Sequence, residues 1–208
     1  MTAYYASILY GALLTVGVSL AALLVSVLLG LLGAGAKLSG NRSLVALATV
    51  YTTIIRGIPE LVLMLLVFYG GSIGINHLLE LSGTGATLDI NPFTAGVLTL
   101  GFIYGAYMTE TFRGAILAIP RGQFEAAAAF GMGPVQIFLR ITAPQMVRHA
   151  VPGFTNNWLV LIKATALVSL IGLQEMTYLA KQASAATRSP FAFFLFDAAL
   201  SEIYTWVS

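Results

Sequence analysis

Residues 8–32 read ILYGALLTVGVSLAALLVSVLLGLL and contain no charged side chain. A helix of about 20 apolar residues crosses the hydrocarbon core of a bilayer. Because the stretch is continuously apolar rather than alternating, it favours a helix over a strand of a closed barrel. The first 36 residues also lack the basic residues that open a cleavable signal peptide, so we expect this helix to remain as a membrane span.

The rest of the chain has the same character. Of its 208 residues, 58% are hydrophobic and 9% are charged, against about 25% charged in an ordinary soluble domain. Further spans are expected at residues 59–81, 93–119 and 151–173, and a last one begins near Phe191. The sequence therefore predicts one all-α integral membrane domain, residues 1–208, with five transmembrane helices. The last helix holds Asp197 and Glu202, stops at Ser208 and looks truncated.

Several classes of site are disfavoured by composition. The absence of cysteine excludes disulfides and thiolate chemistry, and His77 and His149 lie too far apart in sequence to suggest a metal site. The net charge is only +2, and the basic residues form no cluster that would follow a nucleic-acid backbone. The glycine-rich stretch at residues 82–85 lacks the Gly-Lys-Ser or Gly-Lys-Thr ending of a phosphate loop, so we expect no nucleotide site in this chain.

Loop charges predict the orientation. Six cations follow the first and third spans, whereas Glu80 and Asp89 follow the second. The positive-inside rule then places the N-terminus outside. The loop after the fourth span, with cations beside Glu175, weakens this bias without reversing it. The six cations are Lys37, Arg42, Arg56, Arg121, Arg140 and Arg148.

Residues 43–55 form an apolar run of 13, which is too short to cross a bilayer alone. The following Arg-Gly-Ile-Pro-Glu restarts a helix, because proline suits a first turn and Glu60 complements the positive helix end. Two interpretations stay open. The segment is either a broken membrane helix of the kind transporters place near substrate, or a cytoplasmic elbow before the second span.

Residues 125–144, EAAAAFGMGPVQIFLRITAP, are a polar and basic island between apolar segments. Alanine and glutamate favour a short helix over residues 125–130, which Gly131 and Pro134 would end. A second short helix over residues 135–141 would be stopped by Pro144. Two short helices with a glycine joint predict a compact projection that fits a cleft in another protein. The alternative is an ordinary cytoplasmic helical loop.

The spacing in this island is Glu-Ala-Ala, three residues, Gly, nine residues, Ile, one residue, an apolar residue and Pro. It resembles the cytoplasmic coupling loop of bacterial ATP-binding-cassette (ABC) import permeases. Three further stretches resemble membrane subunits of polar amino acid importers in the histidine and glutamine permease group, closest to pore subunits of histidine, lysine, arginine and ornithine importers or of arginine and opine systems. They are YTTIIRGIP (51–59), GAYMTETFRG (105–114) and KATALVSL (163–170). Ala143, where the pattern commonly has leucine, and a missing C-terminal tail are departures.

The resemblance implies a type I ABC importer permease fold in a bacterial inner membrane. It implies a non-catalytic pore subunit that binds no cofactor itself, since ATP and magnesium belong to two partner ATPase subunits. A second, different permease chain and an external solute-binding protein complete the expected complex. The coupling loop would lie at about residues 120–149. Its coupling residues would be Glu125, Ala126, Ala127, Gly131 and Pro144.

Charged side chains inside apolar segments are the candidates for substrate binding, because a charge in lipid costs at least about 3 kcal/mol and is normally paired or faces a wet cavity. Glu110 and Arg113 share a helix face, and Lys163 lies in the fourth span. Arg113 could bind a substrate carboxylate and Glu110 or Glu60 a cation. Alternatively, Glu110 and Arg113 pair with each other, or the cations extend to the interface.

Asn157 offers neutral donors and acceptors near the start of the fourth span, where some relatives have an acidic residue. The predicted function is import of polar, basic amino acids by alternating access driven by ATP. An ion-coupled carrier or channel for small polar solutes is the alternative. An intramembrane enzyme is disfavoured, because no paired carboxylates or Ser and His arrangement is present in a span.

Overall fold

The computed structural model describes residues 2–81, 83 and 91–207. Ser82 and residues 84–90, which include Asp89 and most of the glycine-rich stretch at residues 82–85, lie outside the described residues. The described residues form helices and no strands. The helices are α1 (Thr2–Leu38), α2 (Arg42–Gly57), α3 (Glu60–Leu65), α4 (Gly71–Leu81), α5 (Pro92–Leu117), α6 (Arg121–Ala129), α7 (Pro134–Ile137), α8 (Ala143–Ala164), α9 (Met176–Thr187) and α10 (Pro190–Val207). Single π-helical turns at Leu66–Gly70 and Phe138–Thr142 join α3 to α4 and α7 to α8, and a 3₁₀ segment, Thr165–Ile171, extends α8.

Three continuous helical stretches of the described chain have the length and apolar composition needed to cross a membrane. They are Tyr4–Leu38, Glu60–Leu81 and Pro134–Ile171. These stretches confirm the first, second and fourth predicted spans as long apolar helices. Helices α5 and α10 occupy the places of the third and fifth predicted spans, and the total of five spans stays a prediction.

Helix α5 lies at the centre of the bundle and packs along α1 on one side and α8 on another. Close contact with α1 depends on glycine. A Cβ atom on Gly30 would lie 2.5 Å from Met108 Cβ, and one on Gly33 would lie 2.3 Å from Thr109 Oγ1. Side chains at these two positions would therefore force the helices apart, as expected for small residues at membrane helix interfaces.

The chain breaks between α2 and α3, as the proline at position 59 predicts. Ile58 is extended (φ −110°, ψ 139°), because a residue before proline is pushed away from the helical region, and α3 restarts at Glu60. Ile55 before the break and Leu63 after it belong to the same buried cluster as Tyr104 of α5. Both flanks of the break pack against α5, and the broken membrane helix and the cytoplasmic elbow both stay predictions.

The prediction that Pro144 stops a separate second helix is wrong. The chain is helical without interruption from Pro134 to Ile171. In the intervening π-helical turn, the N–H of Ala143 donates to the carbonyl of Phe138, five residues back. Pro144 consequently falls in the first turn of α8, a place where its missing N–H is tolerated.

Candidate functional site

The first part of the polar island, together with residues 121–124, forms a projection, residues 121–133, which we call the α6 projection. The N–H of Gly131 donates to Ala128 O (2.9 Å) and the N–H of Met132 to Ala127 O (3.1 Å), which is the glycine-ended helix terminus known as the Schellman motif. Gly131 has φ +75°, a left-handed conformation that glycine adopts without strain. The predicted short helix and its glycine stop are confirmed, although the helix begins at Arg121, four residues before the predicted start.

The predicted coupling residues differ in exposure. Glu125 and Ala126 are exposed on α6, whereas Ala127 is buried against the remainder of the loop. At the end of the projection, the Phe130 side chain is 89% exposed. Pro144 is exposed but belongs to the long helix that leaves the projection.

A cluster of charges, which we call the Glu110 cluster, joins α1, α2 and α5. Lys37 Nζ forms an ion pair with Glu110 Oε1 and donates to Thr52 Oγ1 at 2.7 Å. Arg113 Nε donates to Glu110 Oε2 at 3.1 Å. The Lys37 side chain is only 10% exposed. The pairing of Glu110 with Arg113 is therefore confirmed, and both carboxylate oxygens are already bound by cations of the protein.

A second group, which we call the Glu60 corner, consists of Arg56, Glu60, Tyr104 and Tyr107. The hydroxyl of the buried Tyr104 donates to Glu60 Oε1 and Oε2 at 3.1 and 3.2 Å. The rings of Tyr104 and Tyr107 have centroids 5.7 Å apart and an interplanar angle of 34°. The guanidinium carbon of Arg56 lies 5.5 Å from the centroid of the Tyr107 ring. This corner brings together a carboxylate, two phenols and a stacked cation.

The two remaining predicted substrate residues lie on α8. Asn157 Nδ2 donates to Thr111 Oγ1 at 2.9 Å and lies 3.8 Å from Met108 Sδ, so it bridges α8 to α5. Lys163 Nζ lies 3.5 Å from Glu202 Oε1 of α10, and both side chains are more than half exposed. The structure brings Glu110 and Arg113 together, and places Glu60, Asn157 and Lys163 in separate contacts.

Sequence reasoning did not assign four of these participants to a site, namely Lys37, Arg56, Tyr104 and Tyr107. The charge pattern identifies Lys37 only as a loop cation, although it follows an uncharged stretch so closely that α1 can continue through it. Tyr107 stands within a motif quoted for the resemblance, but no local pattern relates it to Arg56 or Glu60, 51 and 47 residues earlier. Helical spacing on α5 places Tyr104 and Tyr107 on one face, which is the signal available from the sequence.

Glu175, at the start of α9, is a buried carboxylate that the sequence did not single out. Its oxygens accept the N–H groups of Thr177 (2.9 Å) and Tyr178 (2.8 Å), so it caps α9. Burial raises the pKa of Glu175 to about 7, and the nearby Asp197 carboxylate adds to the shift. A cavity of about 220 Å³ beside it is also lined by Thr15, Lys163 and Asp197.

Comparison with known proteins agrees with these features. Residues 26–201 match the family described as binding-protein-dependent transport system inner membrane component. The histidine/lysine/arginine/ornithine transport system permease protein HisQ of Escherichia coli K12 is 49% identical over 201 residues, 97% of this chain and 88% of HisQ. The octopine transport system permease protein OccQ of Rhizobium radiobacter is 40% identical over 195 residues, 94% of this chain and 82% of OccQ.

A solved structure, described as an amino acid ABC transporter with histidines, superposes with a TM-score of 0.83 at 30% identity. The match covers 100% of this chain and 91% of that one. The resemblance inferred from the sequence motifs is therefore confirmed, together with the type I permease fold. The chain belongs to the family of inner membrane components of binding-protein-dependent transport systems, the permease subunits of ABC importers.

Proposed function

We propose that this chain is a pore subunit of an ATP-driven importer of basic amino acids. Its partners would be two cytoplasmic ATPase subunits, which hold ATP and magnesium, a second and different permease chain, and an external solute-binding protein. The substrates in the names of HisQ, which are histidine, lysine, arginine and ornithine, and of OccQ, which is octopine, support a basic or amino-acid-derived substrate. The loop cations support an N-terminus outside and an α6 projection in the cytoplasm.

The α6 projection is the observation that carries this proposal. Phe130 is 89% exposed at its end, and Glu125 is exposed on the same short helix. An exposed aromatic ring is typical of an interface anchor, because aromatic residues are enriched at protein interfaces relative to the rest of the surface. A cleft in the ATPase subunit is the partner that the proposed function provides for this surface.

A movement of the projection would be transmitted to the bundle by a continuous helix. The chain remains helical from Pro134, just after the projection, to Ile171. Asn157 and Lys163 lie on this helix, and Asn157 contacts the central α5 through Thr111. A rigid-body shift imposed by ATP binding at the projection would therefore move side chains inside the bundle, which is the requirement for alternating access.

The residues predicted to bind substrate remain candidates for lining the transport path. Their contacts with the protein differ, and so does their availability for substrate. Glu110 is neutralised by two cations and Lys163 pairs with Glu202, so substrate would have to compete with protein contacts at both. Glu60, Arg113 and Asn157 keep hydrogen-bonding capacity beyond the contacts described above.

The coupling role is tested by Glu125→Lys. We expect the variant chain to reach the membrane but to lose most of the co-purifying ATPase or of the ATP-dependent uptake, because the exposed carboxylate would become a repelling cation. Glu80→Lys is the matched control, since Glu80 is also exposed but lies on α4. Full ATPase content together with full uptake in Glu125→Lys would contradict the proposed contact.

A further inference from the structure

The Glu60 corner lies halfway along the central helix. Tyr104 is 12 residues after Pro92 and 13 residues before Leu117, the two ends of α5. At 1.5 Å per residue, each end is about 18–20 Å away. The break between α2 and α3 faces this midpoint. Transporters often form substrate sites near the bilayer midplane from discontinuous helices.

Glu60 differs from Glu110 in its capacity to receive another cation. The oxygens of Glu110 are bound by Lys37 and Arg113. Those of Glu60 share one phenol hydroxyl, and Glu60 forms no ion pair with any residue that the structure describes. A carboxylate offers about four lone-pair sites, so most of the acceptor capacity of Glu60 is unused.

Tyr107 adds an aromatic face next to Tyr104, the residue whose hydroxyl donates to this carboxylate. The guanidinium carbon of Arg56 is 5.5 Å from its ring centroid, which is within the range of a cation–π interaction. The ring therefore already holds a planar cation. Arg56 belongs to the last turn of α2, where the helix ends before the break, and the residue is exposed. Its long side chain can leave the ring without unfolding a helix.

We propose that Glu60, Tyr104 and Tyr107 bind the positively charged side chain of the transported amino acid, and that Arg56 occupies the ring of Tyr107 until that cation arrives. This inference rests on the proposed function and assigns the selectivity for substrate to the Glu60 corner. The carboxylate supplies the counter-charge, Tyr104 orients the carboxylate, and Tyr107 supplies the cation–π face. Arrival of a second cation would repel Arg56 from the ring.

The test compares arginine with histidine in the complete reconstituted complex, with its binding protein and ATP. At pH 8 arginine is a cation, whereas the imidazole of free histidine, with a pKa of about 6.5, is mostly neutral. We expect Glu60→Gln to lower the ratio of arginine to histidine uptake by roughly tenfold, and Tyr107→Leu by roughly two- to five-fold. At pH 5.5, where histidine is charged, its uptake should fall with that of arginine.

The ratio is measured within one preparation, so reduced assembly of a variant does not change it. Tyr107→Phe keeps the ring and should restore the arginine preference lost in Tyr107→Leu. Tyr69→Leu removes a half-exposed tyrosine outside the corner and should keep the ratio of the unaltered chain. If Glu60→Gln left the ratio of arginine to histidine uptake at pH 8 unchanged, whether or not both uptakes fell, the inference would be overturned. Absence of ATP-dependent uptake in the unaltered complex would instead contradict the proposed function.

Discussion

Single charges inside this bundle differ in how completely the protein neutralises them. Glu110 binds two cations from two helices, and Lys37 among them is almost buried. The Lys163 pair with Glu202 is exposed by comparison. Because an exposed ion pair contributes about 0–1 kcal/mol and a buried charge without its partner is costly, the Glu110 cluster is the arrangement that we expect to matter for stability.

Glu110→Gln should destabilise the purified complex more than Arg113→Gln. The first substitution leaves two cations without a counter-charge, whereas the second leaves the pair of Lys37 with Glu110 intact. We expect Glu110→Gln to cost roughly 2 kcal/mol or more, and the double variant Lys37→Met with Glu110→Gln to recover part of that loss. Thermal unfolding in detergent measures these differences.

Lys163→Gln is the control for this series and should shift the unfolding temperature little, because its ion pair is exposed. If Arg113→Gln proved as destabilising as Glu110→Gln, and the double variant simply added its two single effects, the cluster would not act as described.

The packing of α1 on α5 and the break between α2 and α3 determine which side chains of distant helices come into contact. Helix α1 approaches α5 closely at Gly30 and Gly33, and the α2–α3 break brings Glu60 to the middle of α5. Hydrophobic attraction between helices is weak in lipid, so close packing of small residues supplies much of the association.

Gly30→Ala should weaken this packing. The new Cβ would lie 2.5 Å from Met108 Cβ and 3.0 Å from the Met108 carbonyl carbon, so a backbone would have to shift. We expect a loss of roughly 1–3 kcal/mol, seen as a lower unfolding temperature. Gly35→Ala on the same helix is the matched control, because no atom lies within 4 Å of its added Cβ. It should be neutral or stabilising, since alanine favours helix. Equal destabilisation by both substitutions would contradict the packing argument.

Local signals in the sequence predicted most elements and only part of the site. Apolar length identified three long helices, the proline at position 59 located the helix break, and Gly131 located the end of α6. Helical spacing allows the Glu110–Arg113 pair, which is one of the alternatives that the sequence leaves open and which the structure shows. Pro144 failed as a stop signal because a π-helical turn before it moves proline into a tolerated position.

Contacts between distant segments could not be predicted in this way. Lys37 reaches Glu110 across 73 residues, and Glu60 reaches Tyr104 across 44. Each contact depends on how α1, α2 and α3 pack on α5, which no local pattern specifies. From the sequence, Glu60 and Glu110 are therefore equivalent candidates for binding a cation. In the structure, the carboxylate of Glu110 is occupied by two cations and that of Glu60 is available.

Over the whole molecule, the α6 projection and the Glu60 corner have complementary roles in one proposed mechanism. The projection presents exposed side chains to a partner, and a continuous helix connects it with the bundle. The corner offers a cation site beside the central helix. The role assigned to the projection depends on the energy source, because a carrier driven by an ion gradient would need no partner there.

Uptake of labelled arginine into proteoliposomes is the most direct test of that dependence. The vesicles would contain this chain with its second permease chain and ATPase subunits, with the binding protein outside and ATP inside. We predict uptake that requires hydrolysable ATP and continues after ionophores have collapsed the ion gradients. Uptake driven by an imposed ion gradient, in vesicles that hold the permease chains without the ATPase, would contradict the account.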